Sequence, residues 1–258
     1  MRIEDHSKEL NTSIIQNGRR ELAEGAQENS ADVLVHEHFL AVELNGYPAA
    51  ELSCTADHLP ELVLGRLCTE GIIEGTDQVE RIFICGKGNL AEVTLAEGVA
   101  LSEAGKREPT CCTGNRQFLG GARTGKLQRL PEVCVEREAV FAMAIHFKKD
   151  SALHRSTNGT HSCYLHLPDG EIAGFEDISR HNALDKAVGH MLMRGADPQE
   201  CMLYTTGRVP ADMVQKAVMA RVPVLVSKSV PTDAAVQMAA EYGLQLYCKA
   251  WPDSFTVY

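Results

Sequence analysis

The fold is decided by residues 201–227, which read CMLYTTGRVPADMVQKAVMARVPVLVS. Residues 201–206 are an apolar run of strand length, and Gly207 marks a turn. Residues 210–221 then carry the spacing of an amphipathic helix, and residues 222–227 form a second apolar run. A helix between two such strands predicts a βαβ unit with parallel strands.

The same alternation continues on both sides of this unit. A helix is predicted over 182–194, and a helix over 232–242 leads into a strand over 244–248. Earlier, a helix face carries Val140 and Phe147, and a hairpin turns at residues 168–170. Residues 134–258 are therefore predicted to be an α/β domain with a largely parallel sheet and covering helices.

A smaller β-rich portion is predicted over residues 31–133. Two strands flank Asn45-Gly46, a dipeptide typical of tight hairpin turns, and two more precede residue 96. Between them, Leu59 to Leu67 show helical spacing, with Asp57 as the expected cap and Gly71 as the end. Residues 1–30 are polar without a sustained period, so we predict a flexible tail there.

Composition restricts the class of protein. No apolar run among the 258 residues reaches the ~18 needed for a membrane helix, and the N-terminus lacks a signal-peptide segment. The net charge of −10 argues against nucleic-acid binding. Nine cysteines, an odd number, fit a reducing compartment in which they stay thiols. We expect a cytoplasmic protein that binds neither membrane nor nucleic acid.

Cys111 and Cys112 lie in a segment of opposite charge. Residues 102–131 contain six basic and two acidic residues, an excess of +4, which leaves −14 for the remainder. Neighbouring cations stabilise a thiolate, and the segment's glycines allow movement. A cationic thiol loop of this kind suits transfer of a group to an anionic partner.

Several interpretations of this cysteine pair remain open. A zinc site would need further nearby ligands, which the sequence does not supply. A hydrolase nucleophile would need a histidine base, and two incidental surface thiols are also compatible with the sequence. A persulfide carrier needs an accessible thiolate, which this loop offers. A disulfide between neighbours ~3.8 Å apart would be strained.

Three predicted strand-to-helix junctions favour an anion site. Helix N-termini carry free N–H groups and partial positive charge, and ligands collect at this edge of α/β sheets. Arg180, Arg208 and Lys228 add cationic donors there, and Gly207 would permit a close backbone approach. Ordinary capping is the alternative at each junction, by Asn182 with Asp185 and by Thr232. Together the junctions predict a nucleotide or another phosphorylated ligand.

Residues 176–186, EDISRHNALDK, resemble the signature of the formate dehydrogenase accessory sulfurtransferase family (FdhD). Three further segments agree with it: residues 62–71 (LVLGRLCTEG), 206–208 (TGR) and 229–232 (SVPT). The resemblance extends from about residue 34 to the C-terminus. Two departures stand out: the family's Cys-x-x-Cys is replaced by Cys111-Cys112, and its Thr-Gly-Gly before a histidine reads Thr157-Asn158-Gly159 before His161.

The resemblance implies a function, partners and a fold. Members take a persulfide from a cysteine desulfurase and sulfurate the molybdenum or tungsten bis-guanine-dinucleotide cofactor of formate dehydrogenase. They are homodimers, and their larger domain is similar to the cytidine deaminase fold. The carried cofactor is a transient ligand that GDP-like nucleotides partly mimic, and we expect no resident metal or cofactor. The absence of the zinc signature argues against deaminase chemistry.

Site residues follow from these two arguments. Cys111 or Cys112 would hold the persulfide, and the alternative is a chaperone that binds the cofactor without carrying sulfur. Arg180, Arg208 and Lys228 would neutralise phosphates, while His181, Asn182 and Asp185 would orient the guanine or pterin. Lys186, Gly207 and Ser229 are further expected contacts of the cofactor. The resemblance also implies a cofactor contact near the C-terminus, at Tyr247, Cys248, Lys249, Ala250, Trp251 and Pro252.

Overall fold

The computed structural model describes residues 1–7, 10–99, 127–149 and 151–258. The predicted cysteine pair, Cys111 and Cys112, lies outside the described residues. The strands are β1 (Arg2–Asp5), β2 (Ser13–Glu21), β3 (Gln27–Val35), β4 (His38–Leu44), β5 (Tyr47–Cys54), β6 (Val79–Ile84), β7 (Leu90–Leu95), β8 (His161–His166), β9 (Ile172–Asp177), β10 (Met202–Thr205), β11 (Val224–Ser227), β12 (Gln245–Trp251) and β13 (Ser254–Val257). The helices are α1 (Leu59–Thr69), α2 (Arg137–Lys149), α3 (Ala152–Thr157), α4 (Arg180–Met193), α5 (Ala211–Met219) and α6 (Asp233–Tyr242).

The first sheet has the strand order β1-β6-β7-β4-β5. The predicted hairpin at Asn45-Gly46 is confirmed, since β4 and β5 pair antiparallel across it. The predicted flexible tail over residues 1–30 is wrong. β1 pairs in parallel with β6, and β2 pairs with β3 along nine residue pairs. Cross-strand hydrogen bonds order this polar segment without the apolar periodicity that a sequence pattern detects.

The second sheet has the order β13-β12-β11-β10-β8-β9. The predicted βαβ unit is confirmed, because β10, β11 and β12 run parallel. The sheet is mixed rather than largely parallel: β8, β9 and β13 pair antiparallel with their neighbours. The tight turn at residues 168–170 requires antiparallel pairing, since a parallel neighbour needs a long crossover.

Helices cover both faces of this second sheet. Residues of α4, α5 and α6 share one apolar core with the first sheet and α1. On the opposite face, Val140 and Met143 of α2 pack with Tyr164, Tyr204 and their neighbours. The predicted layered α/β fold is confirmed, while the division into domains at residues 133 and 134 stays a prediction. Within the described ranges, no helix has the length and apolar character needed to cross a bilayer.

The two sheets are joined through a backbone-to-backbone contact between α1 and α4. A Cβ placed on Gly65 would lie 1.7 Å from the carbonyl oxygen of Asp185. A Cβ on Gly189 would lie 1.9 Å from the carbonyl oxygen of Glu61. Only glycine therefore permits this helix crossing. This explains in structural terms why Gly65 occurs within the segment LVLGRLCTEG.

Candidate functional site

The signature residues of α4 point largely into the protein. Lys186 is fully buried, and its Nζ lies 2.9 Å from Oδ2 of Asp177 and 2.8 Å from Oδ1 of Asp57. The same Nζ donates to Oγ1 of Thr55 at 2.6 Å and to the carbonyl of Glu176 at 3.1 Å. These contacts tie α4 to the segment between β5 and α1, and so join the two sheets.

The charges in this first network stabilise one another. Burial lowers the pKa of Lys186, but the carboxylates of Asp177 and Asp57 outweigh burial, and the pKa is raised well above its ordinary value. Burial likewise raises the pKa of Asp57, yet Lys186 outweighs it and the pKa is lowered. An ion pair that satisfies its remaining hydrogen bonds in this way can stay charged inside a protein.

Asp185, the residue before Lys186 in α4, belongs to a second buried network. Asp185, fully buried, accepts from Nζ of Lys216 at 2.8 and 2.9 Å and from Oγ1 of Thr69 at 2.7 Å. Arg66 of α1 approaches the same carboxylate at 3.6 Å and pairs with Glu70 at 3.0 Å. Asp185 thus links α1, α4 and α5.

These networks change the interpretation of three predicted ligand contacts. Asn182, Asp185 and Lys186 each have zero exposure, and Asn182 donates to the carbonyl of Ser53 and to Asp177. Because their polar groups bind other protein groups, the geometry argues against direct contact with a ligand. None of these three side chains caps a helix either. Asp57, the predicted cap of α1, instead pairs with Lys186, and His58, the residue before α1, makes no side-chain cap.

The accessible part of the predicted site is the edge where β10 and β11 end. Thr206 N donates to the carbonyl of Ser162 at 3.0 Å, which places His161, the first residue of β8, beside the start of the Gly207 turn. Lys228 N donates to the carbonyl of Thr205 at 3.1 Å, which places Lys228 at the same edge. Five predicted or noted residues therefore meet there: His161, Arg180, Gly207, Arg208 and Lys228.

Arg180 lies across Gly207. A Cβ on Gly207 would lie 2.8 Å from Cδ and 2.9 Å from Cβ of Arg180, so the glycine admits this side chain rather than leaving open backbone for a ligand. Arg180 is half-buried, and its Nε is buried without a hydrogen-bond partner among the described residues. A buried N–H without a partner is costly, so a ligand acceptor would stabilise it.

The charge at this edge is positive. Burial, and then the charges of Arg180, His154, His181 and Lys228, hold the pKa of His161 below its ordinary value. His181 is itself buried, with Nε2 at 3.0 Å from Oδ2 of Asp212. His181 therefore faces α5, and Arg180, Arg208 and Lys228 remain the more accessible cations.

The helix starts differ from one another in availability. Asp177, one turn before α4, accepts from Ser179 N at 3.0 Å and supplies a negative charge at that N-terminus. Oγ1 of Thr232 accepts from Ala235 N, so its predicted role as an ordinary cap of α6 is confirmed. The starts of α4 and α6 are thus less available to an anion, whereas the start of α5 has no side-chain cap.

The C-terminal segment adds an aromatic wall to the same edge. Lys228 Nζ lies 5.0 Å from the ring centre of Phe147 and 5.6 Å from that of Trp251, within cation–π range. Trp251 is exposed and, with Pro252, lines a cavity of about 550 Å³. Lys249 is exposed and its N–H donates to the carbonyl of Ser229 at 2.8 Å.

Two predicted contacts in this segment face inward. Cys248 and Ala250 have zero exposure, and burial raises the pKa of the Cys248 thiol to about 12. Tyr247 is half-buried and donates its hydroxyl to Oε1 of Gln245. Tyr247 also packs against Phe255, and the pairing of β12 with β13 is irregular between Cys248 and Trp251. Exposure, and not a regular strand alternation, therefore marks Lys249 and Trp251 as the accessible side chains of this segment.

The described cysteines separate into buried and accessible thiols. Cys54, Cys68, Cys163, Cys201 and Cys248 are buried, and burial raises the pKa of each thiol. Cys85 is half-buried and Cys134 is exposed. The five buried thiols are unsuited to attack on sulfur, which requires an accessible thiolate. Among the described residues, no group of three histidine, cysteine, aspartate or glutamate side chains could hold a metal ion.

Comparison with known proteins agrees with the signature segment. The model of the FdhD/NarQ family matches residues 35–258. The chain belongs to the FdhD/NarQ family. It is 31% identical to the sulfur carrier protein FdhD of Bacillus subtilis over 232 residues, covering 88% of each chain. It is also 31% identical to that of Streptomyces avermitilis over 243 residues, covering 87% of this chain and 86% of the relative.

A solved structure shows the same fold. The crystal structure of a candidate formate dehydrogenase accessory protein from Desulfotalea psychrophila superposes with a TM-score of 0.76. The match has 22% sequence identity and covers 96% of this chain and 97% of the other. At this identity the likeness establishes the shared fold.

Two features of this FdhD/NarQ family member went beyond what its sequence indicated. Phe147 lies on α2, far from Lys228 and Trp251 in the chain. No local sequence pattern indicates that the Lys228 ammonium lies near both rings. His161 was noted only for its unusual preceding residues, whereas the structure places it among cations. The Thr157-Asn158-Gly159 segment, where Asn158 adopts φ 51°, was the available signal for this position.

Proposed function

We propose that this protein is a sulfur carrier. It accepts a persulfide from a cysteine desulfurase and delivers sulfur to the molybdenum or tungsten bis-guanine-dinucleotide cofactor that formate dehydrogenase needs. It acts in the cytoplasm as a homodimer, with the cofactor as a transient substrate. The observation that carries this proposal is family membership over residues 35–258, together with relatives named sulfur carriers.

The transfer step requires one accessible thiolate on this chain. That thiolate attacks the terminal sulfur of the donor persulfide, a new S–S bond forms, and the donor cysteine leaves as its thiolate. Cys111 and Cys112 are the proposed acceptors because the charge of their segment favours a thiolate. The burial of five other cysteines supports this choice.

The edge where β10 and β11 end, called the cationic edge for its residues Arg180, Arg208 and Lys228, is the proposed docking site for the cofactor's diphosphate. Arg180, Arg208 and Lys228 supply charge for its oxygens, and the unpartnered Nε of Arg180 supplies a donor. Trp251 offers an exposed ring face beside the cavity at Pro252, suited to stacking on a guanine or pterin ring. This assignment rests on position and charge.

Peptide mass spectrometry tests the carrier role directly. After incubation with an active cysteine desulfurase and cysteine, Cys111 or Cys112 should gain the mass of one sulfur atom. Replacing the modified cysteine by Ala should abolish the gain, whereas Cys134→Ala, which removes an exposed thiol elsewhere, should leave it unchanged.

The alternative is a chaperone that binds the cofactor without carrying sulfur. The two roles differ in the double variant Cys111→Ala/Cys112→Ala, assayed for its ability to restore formate dehydrogenase activity in cells that lack the protein. A carrier loses this ability, whereas a chaperone keeps it. No sulfur gain on either cysteine, combined with full restoration by the double variant, would establish the chaperone.

A further inference from the structure

His161 lies among the cations of the cationic edge. It begins β8, and the hydrogen bonds between Ser162 and Thr206 hold its backbone next to the Gly207 turn. Two residues before His161, a Cβ placed on Gly159 would lie 2.8 Å from Cγ1 of Val35, so the chain passes close to β3 there. His161 is partly buried.

The groups that act on His161 come from every neighbouring element. Arg180 and His181 lie at the start of α4, His154 lies on α3, and Lys228 follows β11. The acidic groups nearby are already engaged. Glu176 accepts from the N–H groups of Leu153 and His154, Asp177 pairs with Lys186, and Asp212 pairs with His181.

This arrangement disfavours the charged form of His161 in the free protein. Positive neighbours disfavour a further positive charge, and burial acts in the same direction. A bound diphosphate would reverse the balance, because its negative charge offsets Arg180 and Lys228 and favours an imidazolium beside it. The neutral histidine is therefore poised to become charged on binding.

We infer that His161 contacts the anionic group bound at this edge and takes up a proton when that group binds. The inference rests on the proposed function, since it concerns the same site, and it adds a residue and a pH dependence to it. The site thus holds a ligand with three permanent cations, Arg180, Arg208 and Lys228, and with one cation that forms only in the complex. Binding weakens as pH rises through the range where the bound histidine loses its proton.

The test is calorimetric titration with guanosine diphosphate, using the full chain. Measurements in buffers of different protonation enthalpy at one pH between 6.5 and 7.5 give the number of protons taken up per ligand. Wild type should take up a clear fraction of one proton, and its affinity should fall by up to about tenfold per pH unit across that same range. His161→Gln should show less uptake and a flatter profile with the same ligand.

The ligand's own ionisation is common to both proteins, so the difference between wild type and His161→Gln isolates the histidine. His166→Gln is the matched control, because His166 lies at the opposite end of β8 from His161 and is not among the groups that act on His161. It should retain the wild-type proton count. The imidazole C–H resonances of wild type, titrated with and without guanosine diphosphate, give the same answer without a variant.

The outcomes separate the two ideas. Equal proton uptake by wild type and His161→Gln, or a His161 resonance whose titration ignores the ligand, would overturn the role of His161 while the anion site stands. An absence of guanosine diphosphate binding by wild type would overturn the docking site itself, and the role of His161 with it.

Discussion

The sharpest structural prediction concerns Lys186→Met. Lys186 is fully buried, and its Nζ neutralises Asp177 and Asp57 and donates to Thr55. Methionine has a similar length, so it fills the space without a large cavity and removes only the charge and the donors. The variant leaves two carboxylates facing an apolar group.

The expected cost is about 3–5 kcal/mol in the free energy of unfolding at pH 7, the range for removing one partner of a buried ion pair. The pH dependence follows from the signs. The lowered pKa of Asp57 means that its contribution is present above its unfolded pKa and fades as pH falls through its folded value. The raised pKa of Lys186 means that its contribution persists until strongly alkaline pH. The difference between wild type and variant should therefore narrow in acid.

The assay is urea unfolding, followed by far-ultraviolet circular dichroism and by the fluorescence of Trp251, the chain's single tryptophan. Coincident curves from the two probes justify a two-state treatment. Lys87→Met is the control, because Lys87 is exposed in a turn and its replacement should change stability by less than about 0.5 kcal/mol. A loss for Lys186→Met below about 1 kcal/mol at pH 7 would refute the reasoning.

Three further predictions concern packing, capping and the ligand edge. Gly65→Ala should destabilise by about 2 kcal/mol or more in thermal melts, since overpacking against the carbonyl of Asp185 outweighs the usual helical preference for alanine; a stabilised variant would show that the helices separate freely. Thr232→Ala should cost about 1 kcal/mol in urea unfolding through loss of the bond from Ala235 N, and an unchanged midpoint would show that this cap is dispensable. Arg180→Ala should weaken guanosine diphosphate binding about tenfold or more by calorimetry, as expected for losing a charge-assisted donor; an unchanged affinity would place the ligand elsewhere.

The sequence predicted those parts of the fold whose signals are local. Residues 201–227 contain both strands and the helix of a βαβ unit, so periodicity alone indicated them. The hairpin at Asn45-Gly46 was equally local. β1 was missed because its partner β6 is distant in the chain, and a short polar strand carries no pattern of its own.

The sequence indicated which residues gather where β10 and β11 end, but not the direction of their side chains. Arg180, Asn182 and Lys186 share one helix, yet the first is half-buried at this edge and the other two are fully buried. Their partners decide this difference: Lys186 meets Thr55, which is 131 positions away. A run of polar residues indicates that their side chains have hydrogen-bond partners. It does not show whether those partners belong to a ligand or to the protein itself.

The crossing of α1 and α4 also bears on how the chain folds during synthesis. Neither helix can complete its packing without the other, and Lys216 reaches back 147 positions to Thr69. Contacts of such sequence separation slow folding because a long loop must close first. Until α4 has left the ribosome, the surface of α1 around Gly65 stays uncovered. We therefore expect the nascent chain to be most prone to aggregation before α4 emerges.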